Sequence, residues 1–391
     1  MKKIFIDNEI TENRCCQTFL TQQRSLHSFF DWSDFYELSD DILLSEYIIV
    51  ISCVVVPWSE NKTKEILYKY IKNFPEKKII CYGCFSIFTD LLNPYEWVVE
   101  FIWNDDWNKF NSIFSIWNLP KYNNVIEKVW IEFKNNFDKN FEWIIIWHWC
   151  LWNCYYCNHK LTSKLYSKPF NLIKLEVLIR LNKWINHFRF ISHDIASYWF
   201  DFEKKVNYID LLKNILKINN KFTFSAWPIY PRSFLENKKD ILELFSTWRV
   251  TELFVAIEHF SPKVLKLMNR NYDINEVLSF VKDIKIKFPK IKICTHIIYW
   301  YPWETLEDLK EIFPIMDYFD QVQMFKIGYN RYLHQNNPWF KEDTLWLKLK
   351  NQFLVKYFKK QYWIIVYEDH RIILIKEQYW TGEENINYYT F

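Results

Sequence analysis

Three cysteines lie close together near the middle of the chain, at Cys150, Cys154 and Cys157. They follow an apolar run, residues 143–147, that is typical of a short buried strand. A loop with thiols at these spacings can wrap around one cuboidal cluster, and three protein ligands on a [4Fe–4S] cluster leave one iron with an open site. Two alternatives remain open at this point: a zinc site with His148 or His159 as fourth ligand, or a set of buried thiols.

The composition favours a metal-binding role for such cysteines. The chain has 391 residues, of which 50% are hydrophobic, so it can bury a large core in two domains and a tail. Its net charge of +3 neither requires nor excludes a nucleic-acid partner. We find neither a signal peptide nor an apolar run long enough to span a membrane. Nine cysteines without an export signal indicate a reducing compartment, so we expect a cytoplasmic protein without membrane association.

The first 130 residues alternate short strands and helices, a pattern that predicts an α/β domain with a Rossmann-like parallel sheet. Strands are predicted at residues 3–6, 47–52 and 78–82, and a helix at residues 59–73. Three thiols lie near strand ends or in early loops: Cys16 (or its neighbour Cys15), Cys53 and Cys84. Because parallel strands end at the same edge of a sheet, these thiols could meet, although a free cysteine is often simply buried.

Residues 141–331 are predicted to form a partial (β/α)6 barrel. Counting the strand before Cys150, the alternation gives six strand–helix repeats, with later strands at residues 188–192, 222–226, 253–257, 292–298 and 322–327. Helices are predicted between them, the last over residues 305–318. Ligands of such barrels bind at the carboxyl ends of the strands, where Cys150, His193, Glu258 and Trp300 lie.

A short helix and β-hairpin tail is predicted over residues 332–391. Residues 345–362 are helical and basic in pattern, residues 363–367 and 371–376 alternate like a hairpin, and residues 385–391 could add a third strand. The lysines of the helix are typical of a solvated face, and the alternative is an edge that contacts RNA phosphates.

The chain has 3 Gly and 21 Trp, whereas about 7% glycine is typical of proteins. Several tryptophans stand where turns usually place glycine, namely Trp58, Trp227, Trp300 and Trp303. Our hypothesis is that UGA codons read as Trp here are read as Gly in the organism. The codons at Trp149, Trp152, Trp300 and Trp303 test it, since UGG at all four would contradict it. The alternative is a protein that is truly rich in tryptophan.

The cysteine loop resembles the radical-SAM superfamily signature, Cys-x3-Cys-x-aromatic-Cys, with Tyr156 as the aromatic residue. Three further segments resemble the methylthiotransferase family of that superfamily. Residues 189–201 are similar to its loop ending Gly-Ser-Tyr-Gly-x-Asp, and residues 256–270 to its Leu-Gln-Ser-Gly-Ser…Val-Leu…Met-x-Arg segment. Residues 295–305 resemble Thr-Asp-Ile-Ile-x-Gly-Phe-Pro-Gly-Glu-Thr, with Trp300 and Trp303 at the glycines. The resemblance covers roughly residues 1–330.

The resemblance implies two [4Fe–4S] clusters and S-adenosyl-L-methionine (SAM). SAM would be chelated at the open iron of the Cys150/Cys154/Cys157 cluster and cleaved to a 5′-deoxyadenosyl radical. The implied pocket residues are Tyr156 against adenine, His193 and Glu258 as polar contacts, and Ile298 as an apolar wall. No side chain is assigned as a catalytic group. The auxiliary cluster would be held by Cys16, Cys53 and Cys84, which fit the family's three amino-terminal cysteine segments in order, and it would hold the sulfur that a second SAM methylates.

The implied activity is methylthio transfer to an adenosine of tRNA. Alternatives are transfer to a ribosomal-protein side chain and a catalytically silent iron–sulfur or RNA-binding relative. The implied partners are tRNA or a ribosomal protein, and a reductant such as flavodoxin or ferredoxin. The sequence departs from the family at three pocket positions, Glu258 for Gln, His296 for Asp and His193 for Gln. We expect the family's small carboxyl-terminal RNA-binding barrel to be shortened, diverged or absent.

Overall fold

The computed structural model describes residues 1–7, 9–10, 22–23, 26–27, 29–30, 33–54, 57–87, 95, 98–103, 106–115, 143–148, 150–157, 166–198, 207–327, 333, 337, 354, 356–358, 363–367 and 371–376. The chain divides into two compact units, one within residues 1–141 and the other within residues 142–157 and 165–385. Each unit is built on its own sheet.

The amino-terminal unit contains a five-stranded parallel sheet in the order β2-β1-β3-β4-β5. Its strands are β1 (Lys2–Asp7), β2 (Tyr36–Leu38), β3 (Tyr47–Ser52), β4 (Lys78–Gly83) and β5 (Val99–Ile102). Its helices are α1 (Pro57–Asn73) and α2 (Trp107–Phe114). Apolar clusters cover both faces of the sheet, so the central strand β3 is buried along its whole length. The predicted α/β sheet of this region is therefore confirmed.

The second unit contains an eight-stranded sheet in the order β14-β15-β13-β12-β11-β10-β9-β6. Its strands are β6 (Trp143–Ile145), β9 (His187–Ile191), β10 (Thr223–Ile229), β11 (Val250–Val255), β12 (Lys292–Tyr299), β13 (Gln321–Lys326), β14 (Trp363–Tyr367) and β15 (Arg371–Ile375). The six strands from β6 to β13 run parallel, and β15 and β14 extend the sheet in antiparallel pairing. A separate antiparallel ribbon joins β7 (Trp147–His148) to β8 (Tyr166–Ser167).

The helices of the second unit pack on the sheet through one large apolar cluster. They are α3 (Phe170–Asn182), α4 (Tyr208–Leu216), α5 (Pro231–Glu236), α6 (Lys238–Phe245), α7 (Pro262–Leu267), α8 (Ile274–Lys287), α9 (Leu306–Lys310) and α10 (Ile315–Tyr318). The single helix predicted over residues 305–318 is instead divided into α9 and α10, with Pro314 as the residue before α10. Proline has no backbone N–H to continue a helix, which explains the division.

The carboxyl-terminal hairpin predicted from the sequence is present, as β14 and β15. It covers the edge of β13 and belongs to the same compact unit as the parallel strands. Most of the predicted helix over 345–362, and the third strand over 385–391, lie outside the described residues. Within the described part of the chain, we find no helix with the length and apolar character needed to cross a lipid bilayer.

Candidate functional site

The three central cysteines lie in a loop whose two ends are joined by the β7–β8 ribbon. Trp147 pairs with Ser167 and His148 pairs with Tyr166, so the two ends of the loop lie side by side. The backbone N–H of Ile146 donates to the carbonyl of Ile191, which connects the start of the loop to the end of β9. The sequence had suggested one strand over 143–147; the chain instead leaves the main sheet after Ile145 and enters the ribbon. His159, one of the two suggested zinc ligands, lies outside the described residues.

The three thiols are close enough to influence one another electrostatically. Cys154 is buried, whereas Cys150 and Cys157 are partly exposed. Burial raises the pKa of the Cys150 thiol well above its ordinary value, and nearby acidic groups raise it further, namely Asp194, Cys154 and Cys157. Bound iron would oppose this effect by stabilising the thiolate form of its ligands.

The three thiols are soft donors of the kind that bind iron–sulfur clusters. Among the described residues, no three His, Cys, Asp or Glu side chains converge closely enough to hold one metal ion. A cuboidal cluster places each thiolate on a different iron and so accepts a wider spacing. Three soft thiols in one loop, with a turn closed by the N–H of Cys157 on the carbonyl of Cys154, therefore fit a [4Fe–4S] cluster.

Asp194 organises the first half of the loop, although it was not among the site residues predicted from the sequence. Its carboxylate accepts hydrogen bonds from Trp152 Nε1 at 2.6 Å, Ser197 Oγ at 2.8 Å and the backbone N–H of Tyr230 at 3.1 Å. The Trp152 ring also stacks on Tyr230, with centroids 3.9 Å apart. Burial raises the pKa of Asp194, and the hydrogen bonds offset part of that effect. The available sequence signal was an Asp one residue after His193 at a strand end, where it caps a short 3-10 helix.

Tyr156 and Glu258, two of the predicted pocket residues, are brought together. Glu258 is buried and shares a hydrogen bond with Tyr156. Burial raises the pKa of Glu258, and the charge of Arg270 and the Tyr156 hydrogen bond oppose that shift. Arg270 Nη1 also donates to Tyr156 Oη at 3.0 Å. Tyr156 lies edge-on to Tyr301, with ring centroids 6.5 Å apart.

Glu258 has a left-handed backbone, with φ 65°. Its N–H donates to the carbonyl of His296, and its carbonyl accepts from the N–H of Ile298. These bonds hold the segment beside β12 and present the carboxylate next to Arg270. Ile298 is 9% exposed and belongs to the apolar core of the unit. His193 lies between β9 and Asp194 and is partly exposed.

In the amino-terminal unit, Cys53 and Cys84 directly follow two residues that pair across neighbouring strands. Ser52 at the end of β3 pairs in register with Gly83 at the end of β4. The two cysteines therefore leave adjacent carboxyl ends of the same parallel sheet. Cys84 is buried and Cys53 is partly exposed. Cys15 and Cys16 lie outside the described residues.

The chain is similar in sequence to known proteins, and the similar region includes the cysteine loop. Residues 144–313 match the model of the radical SAM superfamily. The chain is 23% identical over 287 residues to the ribosomal protein uS12 methylthiotransferase RimO of Chlamydia pneumoniae, covering 71% of this chain and 61% of that protein. It is 25% identical over 290 residues to the tRNA-2-methylthio-N(6)-dimethylallyladenosine synthase of Natranaerobius thermophilus, covering 68% and 62%. The matches thus span about three fifths of the length of these relatives.

Solved structures support the fold. The radical S-adenosylmethionine methyltransferase TsrM from Kitasatospora setae aligns with a TM-score of 0.57 at 11% identity, covering 82% of this chain and 72% of that one. The cobalamin-dependent S-adenosylmethionine radical enzyme OxsB aligns with a TM-score of 0.53 at 13% identity, covering 92% and 56%. At these identities the likeness concerns the fold alone. Residues 144–313 thus resemble the radical SAM domain, and the chain as a whole is similar in sequence to methylthiotransferases.

Proposed function

We propose that the protein is a radical-SAM methylthiotransferase. The observation that carries the proposal is the presence of thiols at the carboxyl edges of two separate parallel sheets. Cys150, Cys154 and Cys157 follow β6 in one unit, and Cys53 and Cys84 follow β3 and β4 in the other.

In this proposal the chain's own residues divide into two groups. Cys150, Cys154 and Cys157 hold a [4Fe–4S] cluster that, with SAM bound, supplies the electron for reductive cleavage. Tyr156, His193, Glu258 and Ile298 line the SAM pocket.

The auxiliary cluster belongs to the amino-terminal unit. The register of Ser52 with Gly83 supports Cys53 and Cys84 as two of its ligands, because it places them at neighbouring strand ends. Cys16, with Cys15 as competitor, is the proposed third ligand. The auxiliary cluster would hold the sulfur that is methylated and then transferred.

The division of labour can be tested by replacing each cysteine set in the anaerobically reconstituted protein. Cys53→Ala with Cys84→Ala should leave 5′-deoxyadenosine formation largely intact and reduce methylthio transfer to background. Replacing Cys150, Cys154 and Cys157 by Ala should abolish both. Cys81→Ala is the matched control, since Cys81 is a fully buried core thiol on β4 three residues before Cys84. Normal methylthio transfer by the Cys53/Cys84 variant would contradict the proposal, as would stoichiometric zinc in place of iron.

We propose an adenosine of tRNA as the target, with a ribosomal-protein side chain as the second candidate because one matched relative is named for uS12. Mass spectrometry of tRNA nucleosides and of ribosomal proteins, from cells with and without the gene, separates the two. A methylthio group that disappears from tRNA supports the first target, and one that disappears from a ribosomal protein supports the second. No change in either, with no SAM cleavage in vitro, would support the silent relative.

A further inference from the structure

The residues that end α7 hold the cysteine loop. This helix ends in a Schellman motif: the N–H of Asn269 donates to the carbonyl of Lys266, and the N–H of Arg270 to that of Leu265. Asn269 takes the left-handed conformation that this motif requires, with φ 58°. Asparagine tolerates that conformation, so the sequence itself fixes where the chain turns after α7.

Three consecutive residues of this turn contact three consecutive residues of the loop. The carbonyl of Met268 accepts from the N–H of Tyr155 at 3.1 Å. The side-chain amide of Asn269 donates to the carbonyl of Asn153 at 2.7 Å. Arg270 Nη1 donates to Cys154 Sγ at 3.3 Å. The helix end therefore fixes the backbone on both sides of Cys154 and places a cation on its sulfur.

The guanidinium of Arg270 is itself held from several sides. The Arg270 residue is only 4% exposed, and Nη2 donates to the carbonyl of Ala256. The guanidinium carbon lies 4.4 Å from the ring centroid of Tyr230 and 5.6 Å from that of Tyr272. A buried cation is costly unless anionic groups face it. The acidic side chains that face Arg270 are those of Tyr156, Cys154, Tyr272 and Glu258.

We propose that Arg270 is a positioning residue that sets the reduction potential of the cluster held by the Cys150 loop. The inference rests on the proposed function, since it assumes that the loop holds a cluster. Reduction adds one negative charge to a cluster, and a fixed neighbouring cation with an N–H···S bond stabilises the reduced form more than the oxidised form. Arg270 thus makes the cluster easier to reduce. The segment that carries it, Met-x-Arg in the sequence, gains a specific role.

The test is an EPR-monitored redox titration of the reconstituted protein without SAM. In Arg270→Gln, the equilibrium constant for one-electron reduction should fall about tenfold. This corresponds to a shift of the reduction potential by about 59 mV to lower values. Arg270→Lys keeps a charge but not the planar fork and should shift less. Arg249→Gln is the control, because Arg249 donates to the backbone carbonyls of Leu216, Asn219 and Phe222 and contacts no cysteine in the described part of the chain. Its potential should equal that of the wild type.

The outcomes are distinct. An unchanged potential in Arg270→Gln with a full cluster would overturn the inference. Loss of the cluster from both Arg270 variants in a chain that remains folded would also overturn it, in favour of a purely structural role. Absence of any cluster from the wild-type protein would instead refute the proposed function.

Discussion

At Gly83 the backbone has φ 124°, and a β-carbon built there would lie 2.7 Å from the carbonyl oxygen of Ser52. The same position is 3.0 Å from Gln22 Nε2 and 3.1 Å from Ser52 Oγ. Glycine is therefore required at this position for two reasons. It can adopt the positive φ, and it allows the close approach of the strand ends that precede Cys53 and Cys84. One of the chain's few glycines is used where two proposed ligands have to meet.

Gly83→Ala should lower the free energy of unfolding of the amino-terminal unit by about 3 kcal/mol, because both the left-handed φ and the contact with Ser52 become strained. Urea unfolding measures the loss, and the iron of the proposed auxiliary cluster should be lost from the reconstituted protein. Ser52→Ala is the matched control: it removes the Oγ contacts with Tyr82 and Phe85 but introduces no clash. It should cost about 1 kcal/mol. A Gly83→Ala protein as stable as the wild type would show that the strand ends can separate freely.

Asp308 gives a pH-dependent contribution to stability. Burial opposes its charge, but hydrogen bonds from Lys263, Thr305 and Ser261 outweigh burial and hold the pKa of Asp308 well below its usual value. With Thr305 it forms the capping box of α9. Because its folded pKa lies below the unfolded value of about 3.9, its stabilisation is complete above that pH and is lost as the pH falls through the folded pKa.

Asp308→Asn should therefore reduce the free energy of unfolding by about 2 kcal/mol at neutral pH. The difference from the wild type should shrink as the pH falls below about 4. Urea titrations at several pH values measure it. Asp317→Asn, at an exposed position in α10, should change little at any pH. A difference that grows towards acid pH would mean that Asp308 is protonated in the native state.

The site residues that could be predicted from the sequence lie close to one another along the chain. The triplet at Cys150, Cys154 and Cys157 is visible as a motif. Asp194 and Arg270 were not singled out, because their roles depend on contacts with residues far away in the chain: Trp152 bonds Asp194 across 42 positions, and Cys154 bonds Arg270 across 116. Only the packed sheet brings such pairs together.

At the scale of elements, strongly patterned segments were predicted to the residue. The buried strand Tyr47–Ser52 and the hairpin strand Trp363–Tyr367 have the bounds expected from their apolar patterns. Elements with a weak pattern were missed, such as the four-residue strand Val99–Ile102 and the helix Trp107–Phe114. Their aromatic residues fit a helix or a strand equally well, and tertiary packing makes the choice.

The turns bear on the glycine hypothesis. Four tryptophans have a left-handed backbone, with φ between 58° and 70°: Trp184, Trp248, Trp300 and Trp303. Trp184 occupies the glycine position of a Schellman motif at the end of α3, where its N–H donates to Leu181 and the N–H of Ile185 to Arg180. Its side chain is 93% exposed and so gains little from packing. Trp58 and Trp227 lie within elements instead, Trp58 in α1 and Trp227 in β10, where the register against β11 shifts between Ala226 and Ile229.

Trp184→Gly and Trp248→Gly, in the chain as printed, should each raise the free energy of unfolding by about 1 kcal/mol, because a left-handed backbone costs an L-residue roughly that much. Trp107→Gly is the contrasting control: its ring stacks on Phe29 and Phe110 in the core, so this variant should lose about 4 kcal/mol. Thermal or urea unfolding measures all three. Peptide masses of the protein from its own organism show directly which residue stands at 184 and 248, and tryptophan at both would contradict the hypothesis there.

For the whole molecule, the succession of strands explains why the α/β architecture could be predicted. Each parallel strand of the second unit lies beside the next one in sequence, from β6 and β9 through to β13, so counting repeats gives the sheet order. The place of the hairpin could not be derived in this way. A strand pair carries no sequence signal for the edge it joins, and here β15 rather than β14 pairs with β13.

That order has a consequence for the chain as it emerges from the ribosome. Among the strands that the structure describes, the one that covers β13 is made after β14, so this edge stays open until Ile375 has been synthesised. A nascent chain that has reached β13 but not β15 carries an uncovered row of backbone donors and acceptors along Gln321–Lys326, ready to pair with another chain. A pause or premature stop between β13 and β15 would therefore yield a polypeptide that chaperones and proteases would meet as an aggregation hazard.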